Sequence, residues 1–526
     1  MLHADVLVVG SGAAGMYAAI AAARAGAGVL LVDRSLIGRG GATVMAQMTV
    51  AVAMGEAEPD HWEHHLADTL KAGRGLCDAP LSQLLCEEGP ACIREMDEWG
   101  IGWARRDGHL AQVHAPGHDR KRCVYVDFLN TGPAVSKTLR ARVQRIAEIR
   151  RVGELVVTDL AVHDGVCVGA YAIHVSSGDS ISIAAKATII ATGGLTRLYA
   201  RNSASINMGG DGYALALRAG AELVDMEFVQ FFPIGHLAPR LVGMDPIMWD
   251  PFRYKLGGRL LNSEMQEFLP EDGRYVSARD VATYGILKEV AAGRGSPHGG
   301  AWLSFRHCSE AVLREAFGPV IDRLAANGID LTRQPIEVAP IAHYHMGGVR
   351  VDPDLQSSIP QLLAAGEAVG GANGANRLSG NAITEAVTFG RRAGLRAAAL
   401  AARTSMPSLK PVSWDSSYER KINPAAEIVG LQALMNEHVG PLRTGTGLEH
   451  ALQRITALAP VCAELPAPRA GLDPEWMDLH DLRNMRLVAE CVTRAALERT
   501  ESRGAHQRED FPETSAAWQR HRTIRL

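Results

Sequence analysis

The sequence predicts an α/β fold in which a mostly parallel sheet carries helices on its faces. Three observations predict it. The apolar stretch ADVLVV (4–9) leads into a glycine-rich turn, an alanine-rich helical stretch and a second strand that ends at Asp33. Two later apolar segments, 185–194 and 360–370, also end in glycine-containing turns, as strands of such sheets do. Helical periodicity over 415–460, and a predicted helical hairpin over 474–503, make the C-terminal part helical.

The composition is that of a soluble globular chain. It has 526 residues, 47% hydrophobic and 21% charged, which leaves room for two or three domains. A net charge of −4 favours neither nucleic acid nor a membrane surface as partner. No apolar run reaches the roughly 18 residues of a spanning helix, and no basic region precedes the first strand, so we expect a cytoplasmic protein.

The eight cysteines are scattered and contain no CxxC pair. They are expected to be reduced thiols, and the chain is expected to ligate no iron–sulfur cluster of its own.

The first turn carries a dinucleotide signature. Gly10, Gly12 and Gly15 form GxGxxG between a strand and a helix, and Asp33 ends the next strand. In this context the glycines permit a tight turn, a close approach to a pyrophosphate and close helix packing, while the acid can accept from a ribose hydroxyl. A chance glycine turn, or NAD(P) as ligand, is the alternative. No second GxGxxG followed by an acid occurs, which favours FAD.

The predicted FAD-binding residues in the first half of the chain lie in this turn and in neighbouring glycine-containing segments. They are Gly10, Ser11, Gly12, Ala14, Gly15, Asp33, Arg34, Gly41, Thr43, Gln47, Thr192 and Gly193.

Five segments in order carry a resemblance to a known family. They are GGDGYALALRAGAELVDMEFVQF (209–231), SARDV (277–281), AHYHMGGV (342–349), GEAVGGANGANRLSGNAITEAVTFGR (366–391) and ESRGAHQREDFPE (501–513). Together they resemble the flavoprotein subunits of succinate dehydrogenase and fumarate reductase, with L-aspartate oxidase and the flavoprotein subunit of adenylylsulfate reductase as relatives. The resemblance implies a Rossmann-like FAD-binding domain (1–235 and 343–402), an inserted α+β capping domain (236–342) and a C-terminal helical domain (403–526).

The resemblance also implies a reaction. In this family a hydride moves between flavin N5 and the carbon β to a carboxylate, and a proton moves at the α-carbon. Arg377 matches the carboxylate-binding arginine, and a planar guanidinium can hold a carboxylate by two parallel hydrogen bonds. His343 matches a second carboxylate contact, and Arg279 matches a proton-shuttling arginine. The alternatives are a surface salt bridge for Arg377, a structural role for His343 and a helix-start pair with Asp280 for Arg279.

Further cofactor contacts follow from the same resemblance. They are Asp211, Glu367 and the start of a helix formed by Ser379, Asn381, Ala382 and Ile383, whose amides would face the flavin ring. His343 and His345 could in principle share a metal ion, but no third ligand stands at suitable spacing, so no metal site is predicted.

The substrate segment departs from the family pattern. Where the family reads QFHPTG, this chain reads QFFPIG, with Phe232 and Ile234 in place of a histidine and a threonine. The next family segment also differs from the pattern, around Trp249 and Arg253. Arg253, Lys255 or His236 could replace the missing contact to a second carboxylate. We predict that Phe232, Ile234, Trp249 and Arg253 line the substrate pocket. The expected substrate has one carboxylate on Arg377 and His343 and a more apolar far end, so it is neither succinate nor fumarate.

Ala42 stands where the respiratory enzymes carry a flavin-linked histidine, which predicts non-covalent FAD. Electrons are expected to pass to or from an iron–sulfur subunit, which could hold the chain at the inner membrane face; an oligomer is left open. Three alternatives remain: an L-aspartate-oxidase-like enzyme, a flavoprotein subunit like that of adenylylsulfate reductase, and a non-catalytic flavoprotein subunit.

Overall fold

The computed structural model describes residues 1–127, 130–241, 247–269, 279–318, 320–411, 422–463 and 465–526. Within helices, the side chains of 250, 251, 254, 279 and 280 lie outside this description. Arg279 therefore begins a described helix, but its predicted role concerns a side chain outside the described part.

Strands and helices are numbered in chain order. The strands are β1 Leu2–Val9, β2 Val29–Val32, β3 Val50–Ala51, β4 Arg105–Arg106, β5 His109–Leu110, β6 Gln112–Val113, β7 Cys123–Val124, β8 Ile149–Val152, β9 Leu155–His163, β10 Val166–His174, β11 Ser180–Ile190, β12 Leu223–Val224, β13 Val229–Ala238, β14 Arg259–Leu261, β15 Ala301–Ser304, β16 Ile336–His345, β17 Gly348–Val349, β18 Leu362–Ala364, β19 Leu442–Arg443, β20 Gln507–Arg508 and β21 Thr523–Ile524. The helices are α1 Ala13–Arg24, α2 Trp62–Ala72, α3 Ala79–Glu98, α4 Thr131–Arg145, α5 Asp211–Arg218, α6 Asp250–Leu256, α7 Arg279–Ala291, α8 Glu310–Phe317, α9 Val320–Ala326, α10 Asn381–Ala401, α11 Pro424–His438, α12 Gly445–Ala457 and α13 Pro474–Glu498.

A seven-stranded sheet forms the centre, in the order β8-β2-β1-β11-β10-β9, with β18 also paired to β11. Strands β8, β2, β1, β11 and β18 run parallel, whereas β10 and β9 add an antiparallel edge. The end of β1, Val6–Val9, is buried on both faces, as expected of a parallel strand covered by helices. The predicted α/β class is confirmed.

Helix α10 packs directly on α1. A Cβ built on Gly390 would lie 2.4 Å from the carbonyl oxygen of Ala14, and one on Gly394 would lie 2.3 Å from that of Ala18. Any side chain at these two positions would collide with backbone, so glycine permits the two helices to touch main chain to main chain. The contact joins α1, the helix that follows the glycine-rich turn, to a helix that begins nearly 370 residues later in the sequence.

The inserted unit, which we call the cap, contains the antiparallel sheet β13-β16-β15-β14 together with α6 to α9. Its separate core includes Trp249, Phe305 and Phe317. Strand β13 starts before residue 235 and β16 ends after residue 343. These two strands therefore form the connection to the central sheet, and the predicted domain boundaries within them stay predictions.

The C-terminal part consists of α11, α12 and α13. The predicted hairpin over 474–503 is wrong, because Pro474–Glu498 is one continuous helix of 25 residues. No glycine or proline interrupts it after its first residue, and Asp473 caps its start by accepting from the backbone N–H of Trp476. Strand β21 then pairs with β12, which returns the C-terminus to the central part. Among the described residues, no helix is both long and apolar enough to cross a bilayer.

Candidate functional site

The turn after β1 requires glycine at two positions. Gly10 has a φ of +103°, and a Cβ there would lie 2.4 Å from the carbonyl oxygen of Ala191. A Cβ on Gly15 would lie 1.9 Å from the carbonyl oxygen of Gly10. The turn is therefore folded tightly between β1 and β11, which brings the start of α1 beside the end of the sheet.

Asp33 organises the same turn. One carboxylate oxygen accepts from the backbone N–H of Ser11 at 2.8 Å and from its hydroxyl at 2.6 Å. The other oxygen accepts from the backbone N–H and hydroxyl of Ser35, both at 2.8 Å. Asp33 thus holds the glycine turn in place, and it also lies on the wall of the cavity that borders this turn.

A first cavity extends from this turn across the ends of β1 and β11. The predicted cofactor residues on its wall are Gly10, Ser11, Gly12, Ala14, Asp33, Arg34, Gly41, Thr43, Thr192, Gly193, Asp211, Glu367, Ala382 and Ile383. Four other predicted residues do not lie on its described wall. Gly15 packs beneath the turn, Gln47 and Ser379 line a second cavity, and Asn381 is buried behind the wall.

The first cavity has the features of a dinucleotide site. The start of α1, Gly12 to Ala14, lies on the cavity wall, and although the Ala13 N–H donates to the hydroxyl of Thr43, this helix N-terminus is a suitable place for an anion. The hydroxyl oxygen of Thr192 is buried and has no hydrogen-bond partner among the described residues. A polar ligand would supply that partner. The residues present therefore fit a phosphate-bearing cofactor.

Arg34 connects this cavity to the C-terminal helices. Its guanidinium lies 3.0 Å from a carboxylate oxygen of Asp211 and 2.8 Å from one of Asp481. Arg197 also pairs with Asp481. Burial alone would raise the pKa of Asp481, but the two guanidinium groups hold that pKa well below its usual range. Asp211, Asp481 and neighbouring His480 come close enough to hold a cation, but Arg34 and Arg197 already neutralise the carboxylates.

A second cavity continues from the first. The two share Ala42, Ala46, Tyr344, Glu367, Ala382 and Ile383 on their walls, so one elongated ligand can reach from one to the other. The second cavity lies between the cap and the central part, since its wall includes Phe232 and Met248 from one side and Arg377 from the other.

Arg377 is buried in the wall of the second cavity and is held by neighbouring residues. Its guanidinium carbon lies 4.4 Å from the ring centre of Tyr344, and one Nη donates to the carbonyl of Leu378 at 3.3 Å. The carbonyl of Arg377 accepts from the side chain of Gln230 at 2.9 Å. Tyr344 in turn donates from its hydroxyl to Glu385. The guanidinium thus has a fixed position beside the cavity.

The two histidines of AHYHMGGV lie in different surroundings. His343 lines the second cavity, with Nδ1 2.7 Å from the hydroxyl of Ser203 and its ring edge-on to Phe232. His345 is fully buried, with ring nitrogens 3.0 Å from the hydroxyl of Tyr213 and 3.1 Å from the carbonyl of Met226. Burial lowers the pKa of His345 to about 3. The two rings therefore do not converge on a shared ligand.

Two buried acids lie at the junction of the cavities, Glu367 on the wall of both and Glu385 beneath Tyr344. Burial raises the pKa of Glu367 to about 8, although the carboxylate accepts from the backbone N–H of His345 at 3.1 Å. Burial likewise raises the pKa of Glu385 to about 7, against hydrogen bonds from Tyr344 and Asn373. Glu367 is therefore mainly protonated at neutral pH and can donate a hydrogen bond into the site.

The start of α10 reaches both cavities through Ala382 and Ile383. Two histidines that the sequence analysis missed hold this turn. His65 Nε2 lies 2.8 Å from the side-chain oxygen of Asn381, and His118 Nε2 lies 2.7 Å from the carbonyl oxygen of Ser379. Burial lowers the pKa of both, to about 4 and about 3, so both act as neutral donors. No local pattern connects them with residues about 260 to 320 positions away.

The four predicted substrate-pocket residues do not all lie on the second cavity. Phe232 lines the second cavity. Ile234 and Trp249 are fully buried in the core of the cap, and Arg253 is fully buried as well; none of the three lies on the cavity wall formed by the described residues. A bulge in β13 between Phe232 and Gly235 breaks the strand alternation that would have placed Phe232 and Ile234 on one side.

The cavity wall also carries Lys71 and Arg74, which the sequence analysis did not place there, and Lys255, which it considered as a replacement contact. Lys71 and Arg74 stand at the end of α2, and Lys255 stands near the end of α6. Only Lys255, of the three replacement residues considered for the cap, reaches the described wall; His236 instead bonds to Trp249 and Pro239.

Comparison with known proteins places this architecture in a family. Residues 5–383 match the family model described as FAD binding domain, and residues 429–525 match that described as fumarate reductase flavoprotein C-term. The chain is 35% identical to a subunit of fumarate reductase (CoM/CoB) from Methanothermobacter marburgensis, over 99% of this chain and 96% of that protein. It is 33% identical to L-aspartate oxidase of Streptomyces coelicolor, over 100% of this chain and 92% of that protein.

Solved structures agree. The Mycobacterium smegmatis Sdh1 complex with UQ1 matches with a TM-score of 0.88 at 35% identity, over 98% of this chain and 90% of that chain. Escherichia coli quinol fumarate reductase FrdA matches with a TM-score of 0.90 at 29% identity, over 99% and 94%. The chain is therefore an FAD-dependent oxidoreductase that belongs to the succinate dehydrogenase/fumarate reductase flavoprotein family, with L-aspartate oxidase among its relatives.

Proposed function

We propose that this protein catalyses hydride transfer at a carbon β to a substrate carboxylate, making or reducing a carbon–carbon double bond. The observation that carries the proposal is the position of Arg377 and His343 on one cavity that continues into the dinucleotide-type cavity. When bound there, FAD supplies the hydride donor and acceptor. The residues of the chain bind and orient the substrate beside it.

Arg377 binds the substrate carboxylate. A planar guanidinium that is already fixed against Tyr344 offers two parallel N–H groups with little further ordering. His343, which lines the same cavity and is held by Ser203 at Nδ1, binds a second carboxylate oxygen. Arg279 supplies the proton at the α-carbon; this role comes from the family pattern SARDV.

FAD is held without a covalent bond. The proposed contacts are the glycine turn, Asp33, Thr192 and the start of α10, whose N-terminal amides favour negative charge on the ring. Ala42 lies on the wall of both cavities at the position of the family's flavin-linked histidine, and alanine has no group that could form that link.

We propose a substrate other than succinate and fumarate. Phe232 and Met248 form an apolar wall beside His343, in the segment where the family pattern has polar side chains that bind the second carboxylate. A second carboxylate pressed against that wall would be left unpaired, at a cost of about 2–5 kcal/mol. A second candidate is fumarate reduction itself, because the relative from M. marburgensis is named fumarate reductase and Lys255 reaches the cavity.

The electron partner is proposed to be an iron–sulfur protein, since the M. marburgensis relative is one subunit of its enzyme and this chain has no CxxC pair. The alternative is direct use of O₂, as an oxidase would do. The two differ in how fast the reduced protein is reoxidised by air: slow reoxidation supports a partner, whereas rapid peroxide formation supports an oxidase.

The function is tested on purified FAD-loaded protein under anaerobic conditions. Reduced viologen serves as electron donor, and crotonate, fumarate, trans-glutaconate and trans,trans-muconate serve as acceptors. We expect viologen oxidation with at least one acid other than fumarate. Fast turnover of fumarate together with none of the other acids would establish the second candidate, and no oxidation with any acid would contradict the proposed reaction.

A further inference from the structure

The second cavity has an unequal distribution of charge. Its described wall carries Lys71, Arg74, Lys255 and Arg377, together with His114 and His343. The acid on the same described wall is Glu367, whose pKa burial raises to about 8. The wall is therefore strongly positive at neutral pH, although the whole chain has a net charge of −4.

The cations fall into two groups. Arg377 is buried beside His343 and belongs to the proposed carboxylate site. Lys71 and Arg74, at and just after the end of α2, and Lys255, near the end of α6, are exposed and line the cavity, so they lie on its solvent-accessible part, which we call the opening. The three cations thus come from two segments that are distant in the sequence, and Lys71 and Lys255 have no carboxylate partner among the described residues. This arrangement indicates a ligand that carries negative charge.

The apolar wall fixes where a second charge can go. Phe232 and Met248 pack together beside His343, so an anion next to the reacting carboxylate would meet apolar surface. Lys255 belongs to the cap, and Lys71 and Arg74 belong to the central part. An anion in the opening therefore meets cations from both units.

From this arrangement we infer a second anion subsite formed by Lys71, Arg74 and Lys255. Its ligand is an acid whose second negative group is separated from the reacting carboxylate by an apolar segment. This inference rests on the proposed function and gives the substrate class: an elongated unsaturated dianion, rather than a simple monoacid. The same positive opening raises the rate at which anions enter, an effect that salt weakens.

The test compares trans-glutaconate and trans,trans-muconate with their monomethyl esters, in which the free carboxylate is retained at one end and the other is neutral. KM and kcat are measured with reduced viologen for the native protein and for Lys71→Gln, Lys255→Gln and the double variant. We expect KM for the diacids to rise about 3- to 5-fold in each single variant and about 10-fold or more in the double variant, with kcat and the ester kinetics unchanged. Lys137→Gln removes an exposed lysine on α4 that lies outside the cavity wall and is the matched control.

Binding is measured separately from turnover, through the change that each diacid makes in the flavin absorption spectrum. Tighter binding of a diacid than of its monoester, lost in the double lysine variant, supports the subsite even if no acid is reduced. Equal binding of diacid and ester, an equal effect of the lysine variants on both, or no binding of any diacid overturns it. Failure of turnover with retained lysine-dependent binding would contradict the proposed reaction alone.

Discussion

Replacement of Arg377 by lysine tests the centre of the proposed site. Lysine keeps the positive charge but replaces a planar fork with a single ammonium group. At least one charge-assisted hydrogen bond to the substrate carboxylate is then lost, and such a bond contributes about 1.5–3 kcal/mol. At about 1.4 kcal/mol for each factor of ten, kcat/KM should fall roughly 10- to 150-fold. Arg377→Ala removes the charge as well and should lower kcat/KM roughly 30- to 5000-fold, for a cost of about 2–5 kcal/mol.

FAD binding should survive both substitutions. Arg377 lies on the second cavity and not on the described wall of the first, so the contacts to the nucleotide part remain. The assay is steady-state reduction of the best acid from the acceptor panel, with the ratio of FAD to protein measured by absorbance for each variant. Arg306→Lys, at an exposed position in the cap away from both cavities, is the matched control and should behave like the native protein.

Two results would refute this account of Arg377. If Arg377→Lys keeps kcat/KM within about threefold of the native value, the guanidinium does not hold the carboxylate by two bonds. If Arg377→Ala is folded but loses FAD, then the residue supports the cofactor site, and its place beside Tyr344 is structural.

Two further predictions concern the cofactor and the buried acids. Because Ala42 offers no nucleophile, acid precipitation of the protein should release all FAD into the supernatant; yellow colour retained in the washed pellet would contradict the non-covalent assignment. Burial raises the pKa of Glu385 from 4.5 to about 7, so its contribution to stability is fully present below about pH 4.5 and is lost as pH rises through about 7. At about 1.36 kcal/mol per pH unit the loss is about 3 kcal/mol, and Glu385→Gln should remove it. Denaturant unfolding of both proteins between pH 5 and 8 measures the difference, and parallel pH profiles would speak against a buried neutral Glu385.

The sequence predicted the part of the fold that depends on local spacing. The glycines at 10, 12 and 15 and the acid at 33 lie within a single β–α–β unit, so residue type and spacing suffice to predict the turn. The resemblance supplied Arg377 and His343, and their shared cavity is consistent with it. The roles of these residues, and the whole predicted set of site residues, stay predictions.

The sequence analysis did not predict three features: the side of β13 on which Ile234 lies, the continuity of α13, and the histidines and cations that α2 and the segment after it bring to the site. The pairing of β13 with β16 includes a bulge that turns Ile234 away from Phe232. Pro233 and Gly235 within β13 are residue types that mark a bulge, and the sequence analysis did not use this signal. The continuous helix α13 contains no glycine or proline after its first residue, so its local sequence is compatible with one long helix, which packs against α11 and α12. Lys71, Arg74, His65 and His118 reach the site only because α2 and the segment after it lie beside residues 377–381, which are about 260 to 320 positions away.

The main-chain contact between α1 and α10 has a consequence for how such a chain can diversify. The two ends of the elongated cofactor space, one at the start of α1 and the other at the start of α10, belong to two helices that touch main chain to main chain at Gly390 and Gly394. Part of the wall of the second cavity lies on a separate part of the chain, since Met248 and Lys255 belong to the segment between strands 229–238 and 336–345. Substitutions in that segment can therefore change which acids fit while the spacing between the two cofactor-binding ends stays constant.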